Sequence, residues 1–508
     1  MHKLIYLLVG LLTMPVSSFS QVSLTESAPY KTYTGNFLQY FQSGDEMLAF
    51  KRDGDVFILQ KYNTKTLVQT GIQTYTDMPE EYVIESVREF NKRYYFFYST
   101  ANRGKKTAAL YVREIDFNAG TFVSTGNILI TVNSELKRSF TLFNSLKDEK
   151  LMVQYTLLKT HMNDDINHQT LGFYVYDKNL QYLWNAEAPL PDAEKYVQYL
   201  TQAVDSNGDI YYLIRLYDKE TADQYGTYSE KTLHQLELLK LTKESKAFKS
   251  NTFTLSSKEV RDINLVETSP GEMLCVGFYT LKNPLVPSLF TCKVKADGSA
   301  NDDKSYHILA SILRLYENKQ DNTIKKDENI PDLSELNNLI CNTIKQDENG
   351  DLLIIAESTN SHYLDGYYYT HYDDLLAIRI DQQGHMKWMQ RLPKRPFING
   401  SAYSYHYISR KENDYFLFLD HEENKSLTID QTTAKRFKSK ETVLTTYKIN
   451  KSSGLAEKII LLDTKEVNGK EIYRVTSERV LSASATELIF EAYKKKNEDV
   501  LIKIKGVD

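Results

Sequence analysis

Two matched spacings constrain this chain more than any other feature. Asp177 is followed seven residues later by Trp184 and then by Leu190-Pro191; Asp381 is followed seven residues later by Trp388 and then by Leu392-Pro393. Likewise Asp205-Ser206-Asn207-Gly208-Asp209-Ile210 matches Asp347-Glu348-Asn349-Gly350-Asp351-Leu352. The stretch from Gln346 to Pro393 shows what recurs. An Asn349-Gly350 turn opens onto an apolar run at Leu352–Ile355, and a long polar, aromatic loop follows. A second run at Leu375–Ile380, a Gly384 turn and a Trp388-bearing strand complete it. Self-similarity at a period of about 40–50 residues marks repeat folds, propellers included. Longer loops stretch that period here.

Each repeat should hold four strands, a to d. Second strands begin near Met47, Tyr94, Leu151, Ile210, Met273, Leu352, Tyr415 and Leu488, and third strands follow near Phe57, Leu110, Phe173, Leu236, Leu289, Leu376, Val443 and Val500. The two sets interleave without a gap, with hairpin signals such as Asp297-Gly298 and Ser453-Gly454 after the third strands. The last repeat has room for only three strands before Asp508, while Val22–Tyr33 precedes the first repeat as an unassigned strand-like piece. A ring closes if that piece becomes the outer strand of the last repeat. The reading is an all-β, eight-bladed β-propeller, seven-bladed if one repeat is false, closed by an N-terminal strand. Stacked β-sandwiches also have many short strands, but they predict neither the Asp-to-Trp spacings nor a strand missing at one end.

Composition fits a globular chain: 41% hydrophobic, 25% charged, and rich in Tyr (37) and Phe (22), residues that suit strands. A net charge of −5 favours neither nucleic acid nor an anionic membrane. His2-Lys3 precede an apolar stretch from Leu4 to Met14, Pro15 breaks it, and Ser18-Phe19-Ser20 supplies small residues for cleavage. That stretch is too short for a bilayer of about 30 Å. It reads as a secretory signal over residues 1–20, cut between Ser20 and Gln21, with no transmembrane segment and a periplasmic or secreted mature chain. Residues 21–508 then form a single propeller domain with an excursion at about 310–337 and a short helix at Leu333–Leu336. Three cysteines are too few for a disulfide framework. Cys275 and Cys292, on consecutive strands, fit either a cross-strand bridge or two buried thiols.

In a propeller the b–c and d–a connections gather on one face. Several b–c connections are long here: Lys159–Thr170, Asp218–Leu233, Ser358–Asp374 and Asp420–Thr442. Ordering long loops on one side is costly unless they pack or bind. The richest holds His362, Tyr363, Asp365, Tyr367, Tyr368 and His371; Tyr405 and His406 follow closely, and Tyr225 and Tyr228 lie in the blade 4 connection. Tyrosine combines a rigid face with a hydroxyl at small entropic cost, which suits protein or sugar recognition. Tyr403, Tyr405 and Tyr407 alternate, so a packed strand face competes with that reading. The Asp205 and Asp347 motifs resemble half of a calcium loop but lack its remaining ligands, so a type I′ turn is expected instead. No residue is assigned a catalytic or metal role, and no cofactor is expected.

The Asp-x-Asn-Gly turn, the apolar b strand and the Trp-bearing d strand resemble the secreted β-propeller repeats common in Bacteroidota. The resemblance implies fold and compartment, not substrate. The leading expectation is a non-enzymatic extracytoplasmic binding or scaffold protein holding a protein partner or an envelope glycan. The competing class is a carbohydrate-active enzyme, a propeller-fold polysaccharide lyase or glycosidase.

Overall fold

The computed structural model describes residues 23–31, 33, 38–158, 168–227, 229, 232–253, 259–280, 287–309, 311–313, 339–364, 367–394, 404–430, 442–463, 479–482, 487–495 and 498–506. They form eight antiparallel sheets, the blades of a β-propeller. Blade 1 runs Leu38–Ser43, Glu46–Asp53, Val56–Asn63 and Gln69–Tyr75 as strands a to d. The b strands begin within two residues of the positions expected from sequence, and each expected c position lies inside its strand.

Burial explains why the b and c strands are so legible. A blade packs on both faces, so its middle strands are buried on both, and they read as continuous apolar runs. In blade 5, Glu272–Thr280 is buried at every position after the first. Outer strands alternate instead, as in Tyr182–Ala193 of blade 3. Eight apolar clusters fill the eight seams in turn. Phe50, Phe57 and Phe96 sit between blades 1 and 2, Leu110 and Leu151 between 2 and 3, and Phe173 and Ile210 between 3 and 4. Leu238 and Cys275 lie between blades 4 and 5, Val276 and Ile354 between 5 and 6, and Ile355 and Phe416 between 6 and 7. Leu444 and Phe490 lie between 7 and 8, and Ala49 with Ile489 between 8 and 1, which closes the ring. Each fully buried aliphatic or aromatic side chain contributes about 1.5–3 kcal/mol of transfer free energy.

The closure is the one expected. Ser23–Glu26 pairs with Glu498–Lys505 in the register Ser23↔Lys505 to Glu26↔Ile502, as the outer strand of blade 8. A second short piece, Tyr30–Lys31, continues along the same strand. Trp184 and Trp388 occupy equivalent d strands and pack in the next seam, Trp388 donating to Lys451 O at 2.8 Å.

Two expectations need correction. The Asn-Gly turns are not type I′: Gly208 (φ +91) and Gly350 (φ +82) are left-handed, but the asparagines before them are not. The aspartate that opens each turn decides this. Asp205 Oδ1 accepts from the Asn207 and Asp209 amides, each at 2.9 Å, and Asp347 Oδ1 does the same for Asn349 and Asp351. That fixes a type I turn followed by a left-handed glycine. Second, the connection Ser358–Asp374 is not a loop: strands b and c of blade 6 continue through it, as Leu352–Leu364 and Tyr367–Ile380. Cys275 and Cys292, directly opposed across strands b and c of blade 5, are free, buried thiols, one of the two arrangements expected. Of the excursion expected at about 310–337 only residues 311–313 are described; Ile312, with Ile308 just before it, joins the core between blades 5 and 6, and Leu333–Leu336 lie outside the described residues. Among the described residues, no helix is long and apolar enough to cross a membrane.

Candidate functional site on the long-connection face

The two faces of the ring differ. One carries tight a–b and c–d turns, tied down by side chains. Glu267, buried in blade 5, accepts from the amides of Leu146, Ser206 and Gly271 at 2.8, 2.7 and 2.8 Å and so joins the turns of three blades. The other face carries the b–c and d–a connections, and several form structure of their own.

Among the described residues, the blade 6 hairpin is the longest of these. Its strands hold 13 and 14 residues, against 8 in the b and c strands of blade 1. The extension pairs Thr359 with Tyr372 and ends at Leu364↔Tyr367; at about 3.4 Å per residue it adds roughly 20 Å of ribbon. Register places His362 opposite Tyr369, Asn360 opposite His371 and Tyr363 opposite Tyr368. Asp365 lies outside the described residues.

The blade 4 connection folds into a helix, Lys219–Tyr225, because Asp218 caps it by accepting from the Thr221 amide at 3.0 Å. Its Ala222 packs with Ala193, Tyr196 and Tyr217, and the Tyr196 hydroxyl donates to Asp223 at 2.8 Å. The incoming strand of blade 4 and this connection therefore clasp each other. Tyr225 is exposed at the end of the helix, at 43%. Tyr228 lies outside the described residues.

In blade 7, Tyr405 and Tyr407 both pack on Phe416, with ring centroids 6.2 and 5.5 Å away. The Tyr407 hydroxyl donates to Asp414 at 2.8 Å, and that of Tyr405 reaches Thr343 of blade 6 at 3.3 Å. These two rings serve the seam between blades 6 and 7. His406, between them, opens the a strand; burial pulls its pKa down to about 4, so it is neutral at physiological pH. The expected residues thus fall into two groups: the blade 6 hairpin with the adjoining blade 7 strand, and the blade 4 helix two blades away.

Sequence reasoning missed one feature. A cavity of about 120 Å³ opens between blades 3 and 4, lined among others by Thr141, Gln154, Thr156, Gln169, Tyr199 and Gln202. Thr156, Gln169 and Tyr199 sit towards the ends of their strands nearest the long-connection face, while Thr141, Gln154 and Gln202 lie deeper, near the middle of the blades. Gln154 and Thr156 interrupt the apolar run of Lys150–Leu157 at alternate positions, a signal that was available. Among the described residues, no cluster of three or more His, Cys, Asp or Glu is placed to hold a metal ion.

No protein-family model and no curated protein sequence matches the chain. Solved β-propellers do resemble it in fold. The β-propeller domain of the trilobed protease from Pyrococcus furiosus is 12% identical, with 84% of this chain and 97% of that one covered and a TM-score of 0.34. The Dos1 propeller is 9% identical, with 94% of each chain covered and a TM-score of 0.35. The polysaccharide lyase Uly1 is 10% identical, with 93% and 90% covered and a TM-score of 0.32.

Proposed function

We propose that this protein is an extracytoplasmic, non-enzymatic binding or scaffold propeller whose long-connection face holds a protein partner or an envelope glycan. The observation that carries the proposal is the asymmetry of the ring. One face is trimmed to capped turns, while the other builds a hairpin arm from blade 6 and a clasped helix from blade 4. A two-stranded ribbon is marginal in water unless it packs against something. An arm of tyrosine and histidine kept at that site is best explained by what it contacts. The secretory reading of residues 1–20 places that contact outside the cytoplasm.

The test is affinity purification of the tagged protein from its native envelope, alongside a variant in which residues 359–372 are replaced by an Asn-Gly turn. A stoichiometric partner or glycan should come with the intact protein and be lost with the shortened one. Recovery of neither, together with glycan turnover by the purified protein, would reject the proposal in favour of a carbohydrate-active enzyme.

A further inference from the structure

The seam between blades 3 and 4 differs from most of its counterparts in what crosses it. Between blades 2 and 3, Glu85 accepts from the Phe140 amide at 3.3 Å; between 5 and 6, Asp262 accepts from the Cys341 amide at 2.7 Å. Between blades 4 and 5, Arg215 donates to Val260 O at 2.7 Å. Between 6 and 7, Arg379 meets Asp414 at 3.3 Å, and Lys51 meets Glu491 between 8 and 1. Each of these seams is closed by a charged group with a dedicated partner. Between blades 3 and 4 an ion pair, Lys219 with Asp192 at 3.0 Å, lies out among the connections, but within the seam the bond is neutral, Tyr199 hydroxyl to Gln169 Oε1 at 2.5 Å, and beside it the 120 Å³ cavity remains.

The lining of that cavity is uncharged, being made of amides, hydroxyls and the apolar side chain of Leu171. The two carboxylates that reach lining residues are themselves occupied. Glu85 takes the Ser99 hydroxyl as well as the Phe140 amide, and Glu187 takes the Tyr155 hydroxyl at 2.7 Å. One polar atom of the lining stays unsatisfied: the Gln154 carboxamide oxygen is buried without a hydrogen-bond partner among the described residues, while the Tyr212 hydroxyl, buried behind the lining, has the Gln154 side chain beside it. Tyr212 is only 1% exposed, so bulk water does not serve it. A buried polar atom without a partner is costly, so the site favours an occupant that carries its own donors and acceptors.

We infer that this inter-blade niche is a binding site for a neutral, polyhydroxylated ligand, one edge of an uncharged sugar in a glycan. The inference rests on the binding reading above and names the ligand class for one part of that face. Charge argues against the alternatives: a lining without ammonium, guanidinium or carboxylate offers no counter-ion to a phosphate, a uronate or a metal. Size argues for an edge rather than a whole oligosaccharide, since a cavity of about 120 Å³ has room for no more than a small ring. Amide and hydroxyl groups supply donors and acceptors in the mixed pattern that sugar hydroxyls require.

The test is calorimetric titration of the full mature chain with neutral methyl glycosides and neutral oligosaccharides, and with uronate-containing oligosaccharides of the same length. Gln154→Leu and Gln202→Leu are compared with the hairpin-replacement variant, and thermal melting checks that each is folded. Gln202 is half-buried, so its variant remains informative if Gln154→Leu fails to fold. The expected result is saturable binding of a neutral glycoside, weakened about tenfold by either glutamine substitution and spared by the hairpin replacement. Absence of neutral-glycoside binding, equal binding by wild type and Gln202→Leu, or preference for the uronate ligand each overturns the inference. Loss of neutral-glycan binding in the hairpin variant alone overturns it too, while leaving the binding-face reading intact.

Discussion

Tyr30 donates its phenolic hydrogen to Glu491 Oε1 at 2.5 Å, across 461 positions of sequence. Tyr40 donates to the other oxygen at 2.6 Å, Lys51 pairs with the same carboxylate, and Arg479 lies 3.3 Å from it. Glu491 and Lys51 are 0% and 1% exposed. The N-terminal segment thus contributes more than a strand to the last blade. It completes the coordination of a buried charge where the ring's two ends meet, beside the apolar seam between blades 8 and 1.

Glu491→Gln leaves Lys51 buried without its counter-charge and Arg479 with Asp499 alone, at 3.2 Å. The expected loss is about 3–5 kcal/mol, the usual result of removing one partner from a buried pair. Tyr30→Phe removes one hydrogen bond to a charged group and should cost less, about 1.5–3 kcal/mol. Urea unfolding of both variants gives the order; a Tyr30→Phe cost equal to that of Glu491→Gln would show that the cluster is not organised around the carboxylate.

Acid should loosen the protein in two steps. Burial alone would raise the Glu491 pKa, but Lys51 and Arg479 overcome burial and bring it down to about 2. A lowered carboxylate stabilises the fold above its unfolded pKa, and that contribution fades as pH falls from about 4.5 towards 2. His406 acts at milder pH. Its folded pKa near 4 lies below the free value of 6.5, so the unfolded chain binds the extra proton first and stability declines from pH 6.5 towards 4. Melting temperatures from pH 7 to 3 should show both slopes. His406→Gln should flatten the upper one and Glu491→Gln the lower.

The closing register can be trapped covalently. Ser23 and Lys505 are direct Cα partners, and such pairs lie about 4.5–5.5 Å apart, within disulfide range. Ser23→Cys with Lys505→Cys should oxidise to a bridge and gain about 2–4 kcal/mol of stability. The native thiols Cys275, Cys292 and Cys341 are buried and should not interfere. After proteolysis, the N- and C-terminal fragments should migrate together on a non-reducing gel and separate once reduced. Fragments that never join would contradict the closure.

Much of this fold was legible because the blade middle is buried on both sides. Runs such as Leu352–Ile355 and Leu274–Phe278 cannot be exposed anywhere, and their even recurrence leaves few arrangements other than a ring. The missing strand was legible too, since Glu498–Lys505 would otherwise present an open edge. The candidate site was harder to read. Thr359–Tyr372 has strand geometry but no apolar alternation, so its polar tyrosines and histidines read as a loop. The niche was missed because its lining is split between blades: Gln154 and Gln169 from one, Tyr199 and Gln202 from the next. No periodicity within a single strand shows which polar side chains will face each other across a seam.

Two glycines test packing within the blades in contrasting ways. A Cβ on Gly172 of blade 3 would collide with the Tyr155 ring lying over it, a side chain that can move or be trimmed. A Cβ on Gly277 of blade 5 would meet backbone instead, Asp262 O and Ile263 Cα, which cannot yield without shifting the neighbouring strand. Gly172→Ala should therefore cost about 1–3 kcal/mol, and Gly277→Ala should reach or exceed the top of that range. The two mechanisms separate in a double-mutant cycle. In a Tyr155→Leu background, which already lacks the bond to Glu187, Gly172→Ala should cost less than about 1 kcal/mol because its obstacle is gone. Equal costs in the two backgrounds would mean that backbone conformation, not the tyrosine ring, selects glycine at 172.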